Sequence, residues 1–497
     1  MYFKSLPRSE SEFLSLVTQF NNVSSTNRRS EISKRIDYYE DKQIEYTKDI
    51  LTKTFSKPEK MKLQVEFDNI TKNIVDELAV IYKKNPIRKI INGSKKDEEI
   101  YEKILKTSKI NTVLKQVNAY SKLCKNVIVK VVWRNEQIEL DIISSDLYDI
   151  VQNINDSTKA DAIVYINYID LDNERQINKF DKEINKDFYS KSNVVYYYWD
   201  NYNVFLFTKG LDPKIKLIVN EDNIDNINPY GVIPMLDFRD SYPVKGYWIE
   251  GGDDIINTNE IINQKLTELN FLTKQQSFSQ AVRKGGNTGD SLIICDPSTI
   301  IDIPADDDIS KGKDFFYVTP DAKIKELQDN ITDKKRKIAI NYNLNSDTLI
   351  QSAEKESGLA QVMKAIQRNE FITKDRPLYL EYEKQLFDII RIVYNYHSNQ
   401  KISETAELII DFAESEIPMT IQELDAHNIT LYQNGLLSKT QWLMQLNQDI
   451  QNEDEAKEIL KKINEERTEE RKTDMINNFV TEEDLNNNDN NKNKESE

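Results

Sequence analysis

Two pairs of aspartates are the best candidates for catalytic residues in this sequence. Two-metal catalysis needs carboxylates held side by side, and the type and spacing of these residues could provide them. Asp253 and Asp254 follow two glycines, as in the acidic turn of some nucleotide polymerases. Helical periodicity begins directly after them, so we interpret this pair as a helix start whose acids complement the helix dipole. Asp170 and Asp172 end a predicted strand and could serve a metal nuclease, although no histidine or third acid stands at a recognisable spacing.

Other candidates for a reactive or ligand-binding site are weaker. Residues 284–291, KGGNTGDS, lack the Gly-Lys-Ser/Thr ending and the strand-to-helix order of a phosphate loop, so we interpret them as a flexible turn. Cys124 and Cys295 lie in apolar contexts, and neither His397 nor His427 has a cysteine or an acidic pair at ligand spacing. The sequence therefore disfavours zinc sites and Ser-His-Asp catalysis, and we expect no metal and no cofactor.

The composition is that of an acidic chain that faces water over much of its surface. Its 497 residues carry a net charge of −17, with 30% charged and 38% hydrophobic residues. This charge disfavours a protein whose main task is tight binding of duplex DNA, because neutralising phosphates requires excess lysine and arginine. The chain has neither an apolar run of about 18 residues nor the features of a signal peptide. We therefore expect it to remain in the cytoplasm in which it is made.

The longest organised stretch runs from Gly251 to Tyr342 and predicts two helices around a compact insert. Apolar residues recur at helical spacing over 253–283, which corresponds to roughly 46 Å if the helix is continuous. The strand-like runs LIICD, IIDIP and FFYVT, separated by glycine and proline turns, are predicted to form the insert. The returning helix carries a basic run, KKRK, at 334–337. We interpret this run as a solvated face, a phosphate contact or an inter-subunit ion pair.

Helices and strands elsewhere predict an α+β fold that is mainly helical, with a mostly antiparallel sheet. Residues 125–220 read as that sheet and include a hairpin that turns at Arg134-Asn135. A long helix is predicted over 358–395, where Pro377 should kink or divide it. The run ELIIDFAES predicts one further strand. More helices are expected on both sides of a polar break at 21–29, and over residues 68–82, 97–123, 420–432, 439–446 and 453–471.

Five stretches, taken in order, resemble the portal proteins of tailed bacteriophages, which form the connector ring between head and tail. The stretches are RIDYYEDKQ, FDNITKNIVDELAVIYKKNPIRK, NPYGVIPMLDFRD, SAEKESGLAQVMKA and IPMTIQELDAHNITLYQNGLLSKTQWL. Together they span most of residues 30–465. Their shared order is more specific than any one of them.

The resemblance implies a homo-oligomeric ring, usually a dodecamer, at one vertex of the virion capsid. Such a ring is built in the host cytoplasm and conducts double-stranded DNA during packaging and ejection. Its partners are the large terminase, the head-tail adaptor, and the major capsid and scaffolding proteins. In this family the terminase hydrolyses the ATP, so the resemblance implies a structural protein that is not an enzyme and has no membrane partner.

The resemblance also divides the chain into the parts of a portal. The implied parts are an N-terminal helical and β wing (1–250), a first stem helix (251–283), a clip (284–323), a second stem helix (324–342), a tunnel loop (343–357), a long wing and tunnel helix with a strand (358–415), a helical crown (416–470) and a disordered tail (471–497). The candidates to meet DNA in the channel are Lys334, Lys335 and Lys337. The candidates in the tunnel loop are Asn345, Asp347, Gln351, Glu354 and Lys355.

An acidic ring suits a conduit, because its negative potential repels phosphates and keeps the duplex from adhering as it passes. Two other classes of protein stay open. A metal-dependent nuclease or nucleotidyltransferase of a mobile element would use Asp170 and Asp172, or Asp253 and Asp254. A non-portal helical scaffold or adaptor would have the same helices without a ring.

Overall fold

The computed structural model describes most of the chain between residues 10 and 468. The described residues are 10–54, 63–168, 194–209, 215–218, 223, 225–277, 280–284, 300–303, 315–318, 323–345, 349–350, 358–412, 428–435, 437–446, 455–465 and 468. Helix accounts for about 53% of the described residues and strand for about 20% of them. These proportions confirm the predicted α+β class with mostly antiparallel sheets. The described residues form two compact units, one drawn from 1–355 and 363–416 and the other from 356–362 and 417–497.

The ten helices that are labelled here have between 8 and 40 residues. They are α1 (Glu10–Phe20), α2 (Val23–Tyr39), α3 (Ile44–Thr54), α4 (Ile70–Leu78), α5 (Lys95–Thr107), α6 (Ile110–Cys124), α7 (Asp253–Gln276), α8 (Ile324–Asn341), α9 (Gly358–His397) and α10 (Lys439–Leu446). Residues 428–433 and 455–465 are also helical. Among the helices so described, none combines the length and the apolar character needed to cross a lipid bilayer.

The strands form four sheets within the described part of the chain. They are β1 (Ile87–Ile91), β2 (Asn126–Arg134), β3 (Gln137–Ser144), β4 (Tyr148–Gln152), β5 (Ala160–Tyr168), β6 (Val194–Asp200), β7 (Val204–Lys209), β8 (Ile215–Ile218), β9 (Met235–Arg239), β10 (Gln280–Lys284), β11 (Ile300–Ile303), β12 (Phe315–Val318) and β13 (Glu407–Asp411). The orders are β3-β2-β9, β4-β5-β6-β7-β8, β1-β13 and β11-β10-β12. The region 125–220, predicted as one sheet, therefore contributes to two.

Residues in the left-handed region decide where two predicted elements change direction. Lys109, with a φ of 52°, ends the path of α5 and starts α6, where one helix over 97–123 was predicted. The hairpin of β2 and β3 turns at Asn135 and Glu136, one residue later than predicted. Their φ values of 51° and 60° give a two-residue turn whose twist matches that of the strands.

The N-terminal helices also differ in their bounds from the prediction. The polar break expected at 21–29 falls largely inside α2, because the side chain of Asn22 accepts a hydrogen bond from the Ser25 N–H at 2.7 Å and caps the helix. Helix α2 ends at Tyr39, and a separate helix, α3, begins at Ile44. Strand β1 was not predicted, whereas β4 and β8 lie inside the region 125–220 that was predicted as sheet.

The largest apolar core is formed mainly by α5, α6, α9 and the sheet β3-β2-β9. An ion pair is buried beside this core. Arg88 of β1 donates from Nε and Nη2 to the two carboxylate oxygens of Glu383 on α9, at 2.7 and 2.6 Å. The two side chains are only 2% and 1% exposed. Arg88 also donates to the side chain of Asn111 on α6 at 2.6 Å. One buried guanidinium thus joins three elements of this core.

Helix α7 is shorter than predicted. The first stem helix, expected over 251–283, covers only Asp253–Gln276. It ends at Gln276, so its 24 residues span roughly 36 Å. Gln280–Lys284 form β10, which pairs with β11 on one edge and β12 on the other. These long-range pairings override the local helical pattern. The predicted runs IIDIP and FFYVT contain β11 and β12, whereas LIICD lies outside the described residues.

Helices α7 and α8 form an antiparallel pair, which we call the helix hairpin. Ile255 and Ile262 of α7 share one buried apolar cluster with Ile331 and Ile338 of α8. The direction follows from the hydroxyl of Tyr342, just after α8, which donates to Asp254 in the first turn of α7 at 2.6 Å. Ile70 and Ile74 of α4 belong to the same cluster, so the hairpin packs on the N-terminal helices.

A row of polar side chains on α7, which we call the polar ladder, binds the segment that leads into α4. It consists of Asn259, Asn263 and Thr267, spaced one helical turn apart and at most 1% exposed. Their side-chain oxygens accept hydrogen bonds, each of 3.0 Å, from the backbone N–H groups of Thr71, Asp68 and Glu66 respectively.

Further contacts complete the polar ladder. Asn259 donates to the carbonyl of Asp68 at 2.8 Å and accepts from the hydroxyl of Thr71 at 2.9 Å. Asn263 donates to the side chain of Gln43 at 2.8 Å. The ladder thus satisfies backbone groups that no helix or strand pairs, as buried polar groups require.

Helix α9 runs without a break through the proline that was expected to kink or divide it. Its bounds are Gly358–His397, and Pro377 lies in its interior. Nearby, Lys122 of α6 binds Asp375 of α9 and Asp240, which follows β9, at 2.8 Å each. This ion-pair group joins α6, α9 and the chain just before the helix hairpin.

Replacing Glu383 by glutamine should strongly destabilise the larger unit, because the buried charge of Arg88 loses its only anionic partner among the described residues. Removing one member of a buried pair costs about 3–5 kcal/mol. Thermal unfolding followed by calorimetry would measure the change. The matched control is Glu381→Gln on the exposed face of the same helix, which should unfold within a degree or so of the wild type. Equal behaviour of the two variants would contradict a structural role for the pair.

Replacing Asn259 by alanine should loosen the helix hairpin from the N-terminal helices. The change leaves the Thr71 N–H and hydroxyl without a partner, and each buried group left unpaired costs about 1–3 kcal/mol. Hydrogen exchange of the Thr71 amide should therefore accelerate, and the melting temperature should fall. Asn257→Ala, an exposed position two residues away, serves as the control. Unchanged exchange in the Asn259 variant would show that the polar ladder does not hold this segment.

Candidate functional site

The start of α7 is held at a fixed position by groups from α2 and from the end of α8. Gly251 and Gly252 have φ values of 113° and 93°, which favour glycine, and Gly252 is the N-cap. A Cβ at Gly252 would lie 3.2 Å from the Cε of Lys125 and 3.3 Å from a guanidinium nitrogen of Arg35. A side chain at position 252 would therefore crowd these two cations.

The paired aspartates at this helix start bind protein groups. Asp253 forms an ion pair with Arg35, a buried residue of α2. Asp254 accepts the hydroxyl of Tyr342, and burial together with this bond raises the pKa of Tyr342. Both acids stand in the first turn of α7, where negative charge complements the helix dipole, as predicted.

A second contact from α2 lies two turns further along α7. Lys34 forms an ion pair with Glu260 at 2.5 Å, and the hydroxyl of Tyr38 donates to the same carboxylate at 3.1 Å. Burial and the charge of Glu260 both raise the pKa of Tyr38, so the phenol stays protonated and continues to donate. The first half of α7 thus has charged or polar anchors on one side and the polar ladder on another.

The basic run on α8 divides into residues with different surroundings. Lys335 forms an ion pair with Asp68 at 2.5 Å, and its side chain is 18% exposed. Arg336 pairs with Asp333 on the same helix at 2.9 Å. Lys337 is exposed and Lys334 is half-buried. Of the three channel candidates, Lys335 is therefore occupied inside its own chain, next to the polar ladder.

One tunnel-loop candidate lies within the described residues. The N–H of Asn345 donates to the side chain of Gln367 on α9 at 3.3 Å. Leu344 and Leu349 are buried in the apolar cluster of the helix hairpin. The other candidates, Asp347, Gln351, Glu354 and Lys355, lie outside the described residues.

The small sheet between the hairpin helices exposes an aromatic strand. All four residues of β12 are exposed: Phe315 by 53%, Phe316 by 43%, Tyr317 by 66% and Val318 by 46%. Successive strand residues point to opposite faces, so both faces of β12 present large apolar groups to solvent. Exposed apolar surface of this kind marks interaction sites in soluble proteins.

The residues weighed for metal chemistry are not assembled in the described part of the chain. There, no group of three His, Cys, Asp or Glu residues could hold a metal ion. Asp170, Asp172, Cys295 and His427 lie outside the described residues. His397 stacks on Trp133 with ring centroids 5.2 Å apart and bonds the hydroxyl of Tyr230 at 2.9 Å. Cys124 is a buried free thiol, and burial raises its pKa.

Together, these ion pairs and hydrogen bonds hold the helix hairpin in one position against the N-terminal helices. The groups that sequence reasoning missed are the partners of α7 and α8, chiefly Arg35, Asp68, Asn263 and Tyr342. No local pattern identifies them, because each acts across a long separation in sequence. The one available signal was the placement of Asn259 on an otherwise apolar stripe. A polar residue at such a position requires a buried partner.

Comparison of the sequence with models of known protein families found no match, and neither did comparison with curated proteins.

Proposed function

We propose that this chain is the portal protein of a tailed bacteriophage. Copies would form a ring, expected to be a dodecamer, at one capsid vertex, and DNA would pass through the ring during packaging and ejection. The terminase would dock on it during packaging, and the head-tail adaptor afterwards. In this proposal the protein is a structural part of the virion and not an enzyme.

The observation that carries the proposal is the helix hairpin and its position on the fold. Two antiparallel helices pack on the N-terminal helices, are fixed there by ion pairs and the polar ladder, and stand in sequence on either side of a small sheet with an exposed strand. This order corresponds to the stem and clip that the sequence resemblance implies. The stem helices of the proposal are now Asp253–Gln276 and Ile324–Asn341.

The surroundings of the charged residues agree with a conduit. The chain has 84 acidic and 67 basic residues, and many of its cations pair with acids of the same chain. A ring of such chains repels phosphates at long range, so DNA slides without being retained. A nuclease that uses Asp253 and Asp254 draws less support, because these acids already bind Arg35 and Tyr342.

Electron microscopy of the purified full-length protein tests the proposal most directly. We expect rings with a central hole, and mass photometry of the same sample should give a multiple of 58.2 kDa. A chain that stays monomeric up to micromolar concentration would contradict the portal, and a closed assembly without a hole would favour a scaffold or adaptor. Magnesium-dependent cleavage of DNA, lost in a variant with Asp253→Asn and Asp254→Asn, would favour the nuclease.

Alanine at Lys334, Lys335 and Lys337 together should lower the amount of nuclease-resistant DNA held in assembled heads, because three positive charges per chain leave the hairpin. Lys335→Ala alone separates a structural effect from a channel effect. It breaks the pair with Asp68 and should lower the melting temperature, whereas Lys337→Ala should not. If the triple variant packages and retains DNA as the wild type does, the channel role of these lysines is wrong.

A further inference from the structure

One lysine between two sheets faces aromatic rings instead of an acid. Lys130 lies on β2, and its Nζ donates to the hydroxyl of Tyr165 on β5 at 2.6 Å. Nζ also lies 5.0, 5.8 and 5.2 Å from the ring centroids of Tyr165, Tyr197 and Trp199 respectively. We call these three aromatic residues the aromatic cage. The lysine thus joins the sheet β3-β2-β9 to the five-stranded sheet.

Strand pairing fixes the aromatic cage. Tyr165 of β5 and Tyr197 of β6 are cross-strand partners, and their rings stack 4.8 Å apart at an angle of 6°. Trp199 stands two residues beyond Tyr197 on β6 and therefore on the same face of the sheet. All three rings belong to the apolar cluster between the two sheets, so the cage is part of the packing of the fold.

The amine of Lys130 has no ion pair with any described residue. Asp141, its cross-strand neighbour on β3, binds Arg134 through both carboxylate oxygens, at 2.8 and 2.5 Å. Burial lowers the pKa of Lys130 to about 8; the charge of Asp141 opposes this shift, and the charge of Arg134 adds to it. Lys122 is buried as well, but it is ion-paired with Asp240, whose charge raises the pKa of the lysine.

The consequence for Lys130 is a nucleophile. At pH 7 roughly one Lys130 in ten is a neutral amine, against about one in 2,500 for a lysine of ordinary pKa. A neutral amine has a free electron pair, which is the form in which desolvated lysines attack carbonyl carbons.

Two neutral donors stand beside this amine. Burial raises the pKa of Tyr165, so its hydroxyl stays protonated and can donate as well as accept. The indole N–H of Trp199 is buried beside that hydroxyl, without a hydrogen bond of full geometry to any described group. A buried donor without an acceptor costs free energy, which an anion formed on Nζ would recover.

We propose that Lys130 captures carbon dioxide as a carbamate. The electron pair of Nζ forms a bond to the carbon of CO2, one C–O π pair becomes the charge on an oxygen, and the nitrogen releases one proton to solvent. The Tyr165 hydroxyl and the Trp199 N–H then donate to the carbamate oxygens, and the positive charge of Arg134 favours the anion. The inference is independent of the proposed ring, because every group in it belongs to one chain.

The surroundings of the amine favour CO2 over other electrophiles. CO2 is small and uncharged, so its entry between aromatic rings carries no cost for stripping water from a charge. Acyl phosphates are anions and pay that cost. The addition of CO2 also has no leaving group, so nothing larger than a proton must escape from between the two sheets.

Trapping with triethyloxonium, which ethylates carbamates into stable esters, tests the proposal on the full-length protein. The protein is equilibrated with CO2 and bicarbonate near pH 8, treated with the reagent and mapped by peptide mass spectrometry. Lys89, an exposed lysine of β1, is the internal control. We expect roughly tenfold or more trapped product at Lys130 than at Lys89, because the neutral fractions differ by about a hundredfold at this pH. Equal trapping at the two lysines, or none at Lys130, would overturn the inference.

Two tyrosine variants test the donors. Tyr165→Phe keeps the ring and removes the hydroxyl that contacts Nζ, so trapping at Lys130 should fall several-fold. Tyr197→Phe is the matched control, because it removes the hydroxyl of the stacked partner, which has no hydrogen bond to Lys130. Melting temperatures check that both variants fold, and the wild-type comparison with Lys89 stands without them. Equal trapping in the two folded variants would contradict the donor arrangement on which the carbamate rests.

Acetyl phosphate, a charged acyl donor, separates the carbamate from general acylation. We expect it to acetylate Lys89 at least as readily as Lys130, since the cage disfavours an anion. If acetyl phosphate labels Lys130 in preference to Lys89 while CO2 does not, the site takes acyl donors and the carbamate is wrong.

Discussion

Hydrogen bonds that the polar ladder accepts from the segment entering α4, and from the first turn of α4, determine how the helix hairpin packs on this protein. Asn259, Asn263 and Thr267 accept from three backbone N–H groups that have no helical or strand partner. Such bonds add little net stability, because the same groups bond water in the unfolded chain. Their effect is on geometry: any other placement of α7 would bury the same polar groups without partners. The ion pairs of Arg35 and Lys335 depend on this placement.

The charged residues of the chain act in two ways. Where an arginine or lysine is buried, as with Arg88 and Lys122, it is paired with a carboxylate from a distant part of the sequence and locks elements together. Where a cation is exposed and unpaired, it is conspicuous against a net charge of −17. Sequence charge alone therefore says little about binding, because part of the local excess is paired with acids inside the fold, as Arg88 and Lys122 are.

Much of the coarse fold could be predicted from the sequence, because hydrophobic periodicity reports which face of an element is buried. The helix hairpin, the hairpin of β2 and β3 and the strands β11 and β12 follow from such patterns. The end of α7 could not be predicted, since β10 depends on pairing with strands that lie further along the chain. The break at Lys109 was also hidden, because lysine carries no preference for the left-handed region that it occupies there. For the candidate site, the acids and lysines were recognisable, but their partners were not.

The spacing of the polar ladder has a mechanical consequence. Its three rungs stand one turn apart on α7 and meet successive groups of the segment that enters α4. Sliding α7 along its own axis by part of a turn would break all three hydrogen bonds at once and leave buried donors without partners. The ladder therefore opposes sliding of α7 past the segment that enters α4, whereas a movement of the helix hairpin together with the N-terminal helices leaves every rung intact.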